Sequence, residues 1–182
     1  MNVPNFITML RILMVPLVVI FLMEGKPQYA FLVFIIAGIS DGLDGFIARA
    51  FKQKTVLGAY LDPIADKLLL NTSFVALAIF GVLPGWLAVL VVSRDVIILG
   101  GIGILLLNGR EFAIRPSIYS KTTTLVQLAT ICYFLGYDYL GNHLFIQIYL
   151  IYLTTFFTLL SGLHYIVAGF RILGRPITNN RH

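Results

Sequence analysis

Apolar residues fall into six long runs, at about 5–23, 28–50, 57–81, 84–108, 119–137 and 143–171, separated by short stretches rich in glycine, proline and polar residues. A helix of roughly 20 apolar residues crosses a bilayer, so the pattern predicts six transmembrane helices. The separators lie where such helices must stop: Glu24-Gly25-Lys26-Pro27, residues 81–85 around Pro84, Asn108-Gly109-Arg110, and residues 136–142. Glycine and proline act there as punctuation. The predicted fold is all-α, an integral membrane bundle in one domain over residues 1–174 that Gly174-Arg175-Pro176 closes, with a short polar tail at 175–182. Residues 12–23 look like the apolar core of a signal peptide, but Glu24-Gly25-Lys26-Pro27 offers no small-residue cleavage site, so the stretch is read as a retained first span.

Composition agrees with a membrane protein. Of 182 residues, 59% are hydrophobic and 12% charged, with a mean hydropathy of +0.93; a soluble domain carries about twice that charge. The net charge of +5 could suggest nucleic acid, yet the basic residues are distributed by side. Alternate loops and ends place Arg49, Lys52, Lys54, Arg110, Arg115, Lys121, Arg171, Arg175 and Arg181 on one side and only Lys26 on the other. The positive-inside rule makes both termini and the 49–55 loop cytoplasmic, and nucleic acid is set aside as a partner. Cys132 stands alone in an apolar run, which excludes a disulfide or thiolate-metal framework.

One polar string breaks the apolar pattern: Asp41-x-x-Asp44-Gly45-x-x-Ala48-Arg49, then Gly58-x-x-x-Asp62-x-x-x-Asp66. A carboxylate within a span costs about 2.5–3.5 kcal/mol on insertion scales, so four of them together need a cation or a partner, and a divalent metal is the obvious candidate. On helices, Asp41 with Asp44 and Asp62 with Asp66 each share a face, and a hairpin of the second and third helices can bring the two faces together into a four-carboxylate cup. Pro63 makes Asp62 either a helix N-cap or the neighbour of a kink. All-oxygen ligation selects Mg²⁺ or Mn²⁺, and four carboxylates can hold two such ions for a phosphoryl transfer. Gly45, Ala48 and Gly58 allow close approach of phosphates, and Arg49 can hold one by charge-assisted hydrogen bonds. Two competing readings are ion pairing of the acids with Lys67, Arg49 and Arg94, and a proton or cation path of a transporter.

The string is similar, position for position, to the signature D-x-x-D-G-x-x-A-R-(x8)-G-x-x-x-D-x-x-x-D of the CDP-alcohol phosphatidyltransferases, and the six-helix layout extends the resemblance over the whole chain. That resemblance implies a homodimeric enzyme of the bacterial-type inner membrane. A hydroxyl acceptor would attack the diacylglycerol-linked phosphorus of CDP-diacylglycerol and release CMP. It further implies that Asp41 and Asp62 bridge two metal ions, that Asp44 holds one, and that Asp66 holds the other and accepts the hydroxyl proton. Asn5, Thr8, Gly45, Arg49 and Thr55 would contact the CDP-lipid, and Ala48 and Gly58 would permit nucleotide and helix packing. A general base must be within reach of its proton and not fully neutralised, which independently suits Asp66 at the edge of the cup.

Arg94, Arg115, Ser120 and Lys121 are candidates for the acceptor headgroup. Glycerol 3-phosphate is a dianion, and synthases of phosphatidylglycerophosphate typically show Ala-Arg-Glu and a later Gly-Lys-x-Lys-Thr. This chain has Ser93-Arg94-Asp95-Val96 and Ser120-Lys121-Thr122-Thr123-Thr124, similar to cardiolipin synthases of the eukaryotic type. Charge counting favours the singly charged phosphatidylglycerol, with glycerol 3-phosphate as the alternative. Trp86, His164 and Tyr165 are expected to act as interface anchors or packing residues.

Overall fold

The computed structural model describes residues 3–50, 56–107, 118–141 and 143–173, with side chains described at 9–40, 64–101, 103, 118–141 and 143–171. Among the described residues there is no strand. The helices are α1 (Val3–Met23), α2 (Pro27–Ala50), α3 (Val56–Ile79), α4 (Gly85–Leu107), α5 (Ile118–Leu135), α6 (Tyr137–Leu140) and α7 (Leu144–Leu173). The six long ones match the expected runs to within two residues at either end. The exception is α6, a single turn inside the stretch expected to be a turn. The tail expected at 175–182 lies outside the described residues.

Two of the breaks are built alike. After α1, the Gly25 N–H donates to Leu22 O (3.1 Å) and the Lys26 N–H to Phe21 O (2.8 Å), with Gly25 at φ 67°. After α3, the Gly81 N–H donates to Ala78 O (3.1 Å) and the Val82 N–H to Leu77 O (2.9 Å), with Gly81 at φ 70°. Both are Schellman caps, whose left-handed residue is glycine because an L side chain is strained at that backbone conformation. Pro27 then opens α2 at a position where its missing N–H costs nothing. Lys26, the lone cation assigned to this side, is paired with Glu24 at 2.8 Å, and that hydrogen bond together with the carboxylate's charge raises the ammonium's pKa.

α1 packs against both α2 and α3, α3 against α4, α4 against α7, and α5 against α2, α3 and α7. The apolar core occupies the half of the bundle near the Gly25 and Gly81 caps, where Val18, Phe34, Phe74, Leu77, Leu87 and Ile131 are nearly inaccessible. Around that core the usual distribution is inverted. Arg11, Arg94, Asp95, Gln127 and Thr154 are buried, while Leu13, Ile36, Ile79, Leu99, Leu125 and Phe156, one from each long helix, are exposed. Lipid, rather than water, is the surrounding in which that inversion is favourable. By length and composition, Leu144–Arg171 of α7 is apolar enough to cross a membrane, and Met9–Met23 and Pro27–Ser40 are shorter apolar stretches.

Polar side chains join α5 to α7. Thr123 Oγ1 lies 2.9 Å from Phe157 O, Gln127 Nε2 donates to Thr158 Oγ1 (3.3 Å), and Thr130 and Thr154 share a 2.7 Å bond. Thr123, Gln127 and Thr130 follow helical spacing along one face, so the ladder fixes the register of two helices that apolar contact with lipid would leave free to slide. Replacing Thr154 with Val keeps the shape and removes one rung. It should cost about 0.6 kcal/mol, and under about 1.7 kcal/mol, in reversible unfolding from mixed micelles.

Candidate active site

The acid string is divided between two helices. Asp41 and Asp44 lie in α2 and Asp62 and Asp66 in α3. At about 1.5 Å rise per residue, Asp44 and Asp41 stand about 9 and 14 Å from the end of α2 at Ala50, and Asp62 and Asp66 about 9 and 15 Å from the start of α3 at Val56. The two pairs thus occupy matching distances along their helices, measured from the ends that flank residues 51–55. α3 begins six residues before Asp62, so the N-cap alternative is corrected: Asp62 and Pro63 are interior to the helix. The side chains of Asp41, Asp44, Gly45, Ala48, Arg49, Gly58 and Asp62 lie outside the described part, as do those of Asn5 and Thr8, and Thr55 and Arg115 lie outside the described residues.

Asp66 is described in full. Its Oδ1 accepts a hydrogen bond from Arg11 Nη1 at 2.7 Å. Arg11 is 1% exposed and Asp66 42%, so the pair joins a buried cation on α1 to a carboxylate at an accessible edge on α3. Sequence reasoning missed Arg11. The signal was present: a guanidinium in a span is as costly as a carboxylate and needs a partner.

Its neighbour Lys67 turns to a second network. Lys67 Nζ is 2.7 Å from Asp95 Oδ1, Asn71 Nδ2 donates to Asp95 Oδ2 (3.2 Å), and Arg94 Nη1 donates to Asp95 Oδ1 (2.6 Å). Arg94 Nη2 reaches Ser120 Oγ at 2.9 Å and Ser161 Oγ at 2.5 Å, and its guanidinium lies 5.9 Å from the centre of the Tyr165 ring. Gly162 lies beside the stem, where even a Cβ would stand in ordinary contact with Arg94 Cγ, at 3.7 Å. Of the acceptor candidates, Arg94 and Ser120 are brought together, whereas Lys121 is exposed and outside the cluster. Tyr165, expected as an anchor or packing residue, packs beneath Arg94. Asn71 and Ser161 were not anticipated, and Lys67 was expected only as an ion-pair partner of the acid string; Ser161, a polar residue within an apolar helix, was the readable clue.

Lys67 and Arg94 are therefore held by Asp95, which weakens the reading in which they serve to neutralise the acid string. The donor chemistry fits a hard divalent cation: the string is all carboxylate, and its described member is an accessible oxygen donor. Among the described residues no group of three His, Cys, Asp or Glu gathers, the other three acids' side chains being outside them.

The family model for CDP-alcohol phosphatidyltransferase matches residues 1–160. The chain is 34% identical over 137 residues to a probable phosphatidylglycerophosphate synthase of Mycobacterium tuberculosis, covering 71% of this chain and 64% of that one. It is 37% identical over 128 residues to the CDP-diacylglycerol–glycerol-3-phosphate 3-phosphatidyltransferase of Aquifex aeolicus, covering 69% and 70%. It is also 36% identical over 186 residues to a probable CMP-forming cardiolipin synthase of Drosophila melanogaster, covering 92% and 57%. The chain thus spans less than two thirds of the length of the mycobacterial and fly relatives. Their names divide between two acceptors, so overall similarity does not choose one. Because the match covers residues 1–160, and with them the whole acid string and the Arg11–Asp66 and Lys67–Asp95–Arg94 ion pairs, the chain belongs to the CDP-alcohol phosphatidyltransferase family.

Proposed function

We propose that this chain transfers a phosphatidyl group from CDP-diacylglycerol to the hydroxyl of a glycerol-based acceptor in anionic glycerophospholipid synthesis, releasing CMP. The observation that carries the reading is the family match over residues 1–160, which contains the complete acid string. The hydroxyl oxygen forms a bond to the diacylglycerol-linked phosphorus, the bond from that phosphorus to the CMP oxygen breaks, and Asp66 takes the hydroxyl proton. Two Mg²⁺ or Mn²⁺ ions held by Asp41, Asp44, Asp62 and Asp66 would offset the charge on the transferring group. Asn5, Thr8, Gly45, Ala48, Arg49, Thr55 and Gly58 would seat the CDP-lipid. Exposed apolar side chains on every long helix support six spans, and the sidedness of the basic residues supports cytoplasmic termini and site. A homodimer is part of the same proposal.

For the acceptor, the charge of the Arg94 cluster supports phosphatidylglycerol. Lys67 and Arg94 against Asp95 leave one net positive charge among the described members, matched by one phosphodiester. Glycerol 3-phosphate is the second reading, favoured by the names of the bacterial relatives.

One assay addresses both. Purified protein in vesicles receives CDP-diacylglycerol with either acceptor, and the products are weighed by mass spectrometry. Cardiolipin is expected; phosphatidylglycerophosphate would transfer the assignment to the other branch. Chelation should stop CMP release, and added Mg²⁺ or Mn²⁺ should restore it. Release that persists in chelator would end the metal-dependent reading, and cation flux without any CDP-lipid would favour a transporter.

A further inference from the structure

We propose that Arg11 is a positioning residue for Asp66, and that α1 thereby sets the geometry of the metal and base site as well as contributing to the donor-lipid site. The inference rests on the phosphatidyltransferase reading of the acid string. Its geometric basis is the 2.7 Å bond from Arg11 Nη1 to Asp66 Oδ1 across the α1–α3 packing, between residues 55 apart in sequence. Burial makes the direction of influence asymmetric. Arg11, at 1% exposure, is fixed by its surroundings, whereas Asp66, at 42%, presents an accessible carboxylate. A charge-assisted bond from a buried guanidinium narrows the rotamers that a half-exposed aspartate on a helix adopts.

The placement also couples two parts of the site. Arg11 lies one turn after Thr8 on α1, so the helix whose first turns would meet the CDP-lipid is tied directly to the proposed base on α3. A displacement of α1 on donor binding would be transmitted to Asp66 through that bond. The neighbouring Lys67 cannot substitute, because its ammonium is engaged by Asp95.

The test uses the full chain in detergent or nanodiscs with Arg11→Met, Arg11→Lys, Asp66→Asn and the double variant Arg11→Met/Asp66→Asn. Two readouts are taken: Mn²⁺ binding by electron paramagnetic resonance, which needs no turnover, and kcat and KM for CMP release. Outer partners of metal ligands are worth about 10–100-fold in affinity or activity, so Arg11→Met should weaken Mn²⁺ binding and lower kcat within that range, with KM for the CDP-lipid changed far less. Arg11→Lys, which restores a donor without the planar fork, should recover part of both. In the Asp66→Asn background, Arg11→Met should cause no further loss of Mn²⁺ affinity, because its effect passes through the carboxylate.

Wild-type Mn²⁺ affinity in folded Arg11→Met would overturn the proposal, as would additive losses in the double variant, which mark a general structural role. If Arg11→Met does not fold, Arg11→Lys alone decides: unchanged kcat and Mn²⁺ affinity there would equally overturn it. Failure of the underlying reading looks different, since the wild-type protein itself would then release no CMP while the Mn²⁺ cycle still reports on Arg11.

Discussion

Asp66→Asn should lower CMP release from CDP-diacylglycerol by about 10²–10⁴-fold, the range that a positioned general base contributes. Asparagine keeps the size of the side chain and an oxygen that can accept the Arg11 hydrogen bond, so the α1–α3 packing should survive. What is lost is the negative charge and the proton-accepting capacity. Helix content and monodispersity should therefore be wild-type while kcat collapses, and this separation makes the variant informative. Asp66→Ala should behave differently: it removes the carboxylate that the buried guanidinium meets, so instability should accompany the loss of activity. Retention of more than a tenth of wild-type CMP release in folded Asp66→Asn would refute the role of this residue.

The same residue shows how far sequence reasoning reached. Asp66 was legible because its spacing from Asp62 and the apolar background both mark it. The helix boundaries were legible for a local reason too, since Gly25 and Gly81 satisfy the chain ends within a few residues of themselves. Arg11 was not, because its justification is a partner 55 positions away, and no local period points from one to the other. Asp95 was only half legible: it adjoins Arg94 in the sequence, but its sharing with Lys67 and Asn71 follows from α3 packing on α4. The single turn α6 was hidden because Tyr137–Leu140 follows Gly136 in a stretch with the composition of a turn. Convergence of the two acid pairs, the central expectation from the sequence, has matching helix positions in its support and involves the side chains of Asp41, Asp44 and Asp62, which lie outside the described set.

The largest effect on stability is expected at Asp95. This carboxylate, 5% exposed, is the anion that both Lys67 and Arg94 contact directly, reaching it from α3 and from its own helix at 2.7 and 2.6 Å. Removing it leaves two cations together in a bundle interior that also contains the arginine's contacts to Ser120 and Ser161. Breaking a buried pair by deleting one partner costs about 3–5 kcal/mol, and Asp95→Ala should fall in that range in reversible unfolding from mixed micelles. Lys67→Met should cost much less, because the remaining Arg94–Asp95 pair is neutral and the lysine is 33% exposed, where solvent already screens it. The double variant Lys67→Met/Asp95→Ala should then be more stable than Asp95→Ala alone, since it removes one of the two stranded cations. Such a reversal of sign is a stronger test than either single value, because cavity formation and lost packing can only add to the damage. Equal losses for the two single variants, or a double variant less stable than both, would show that Asp95 is not the hub that holds α3 and α4 in register.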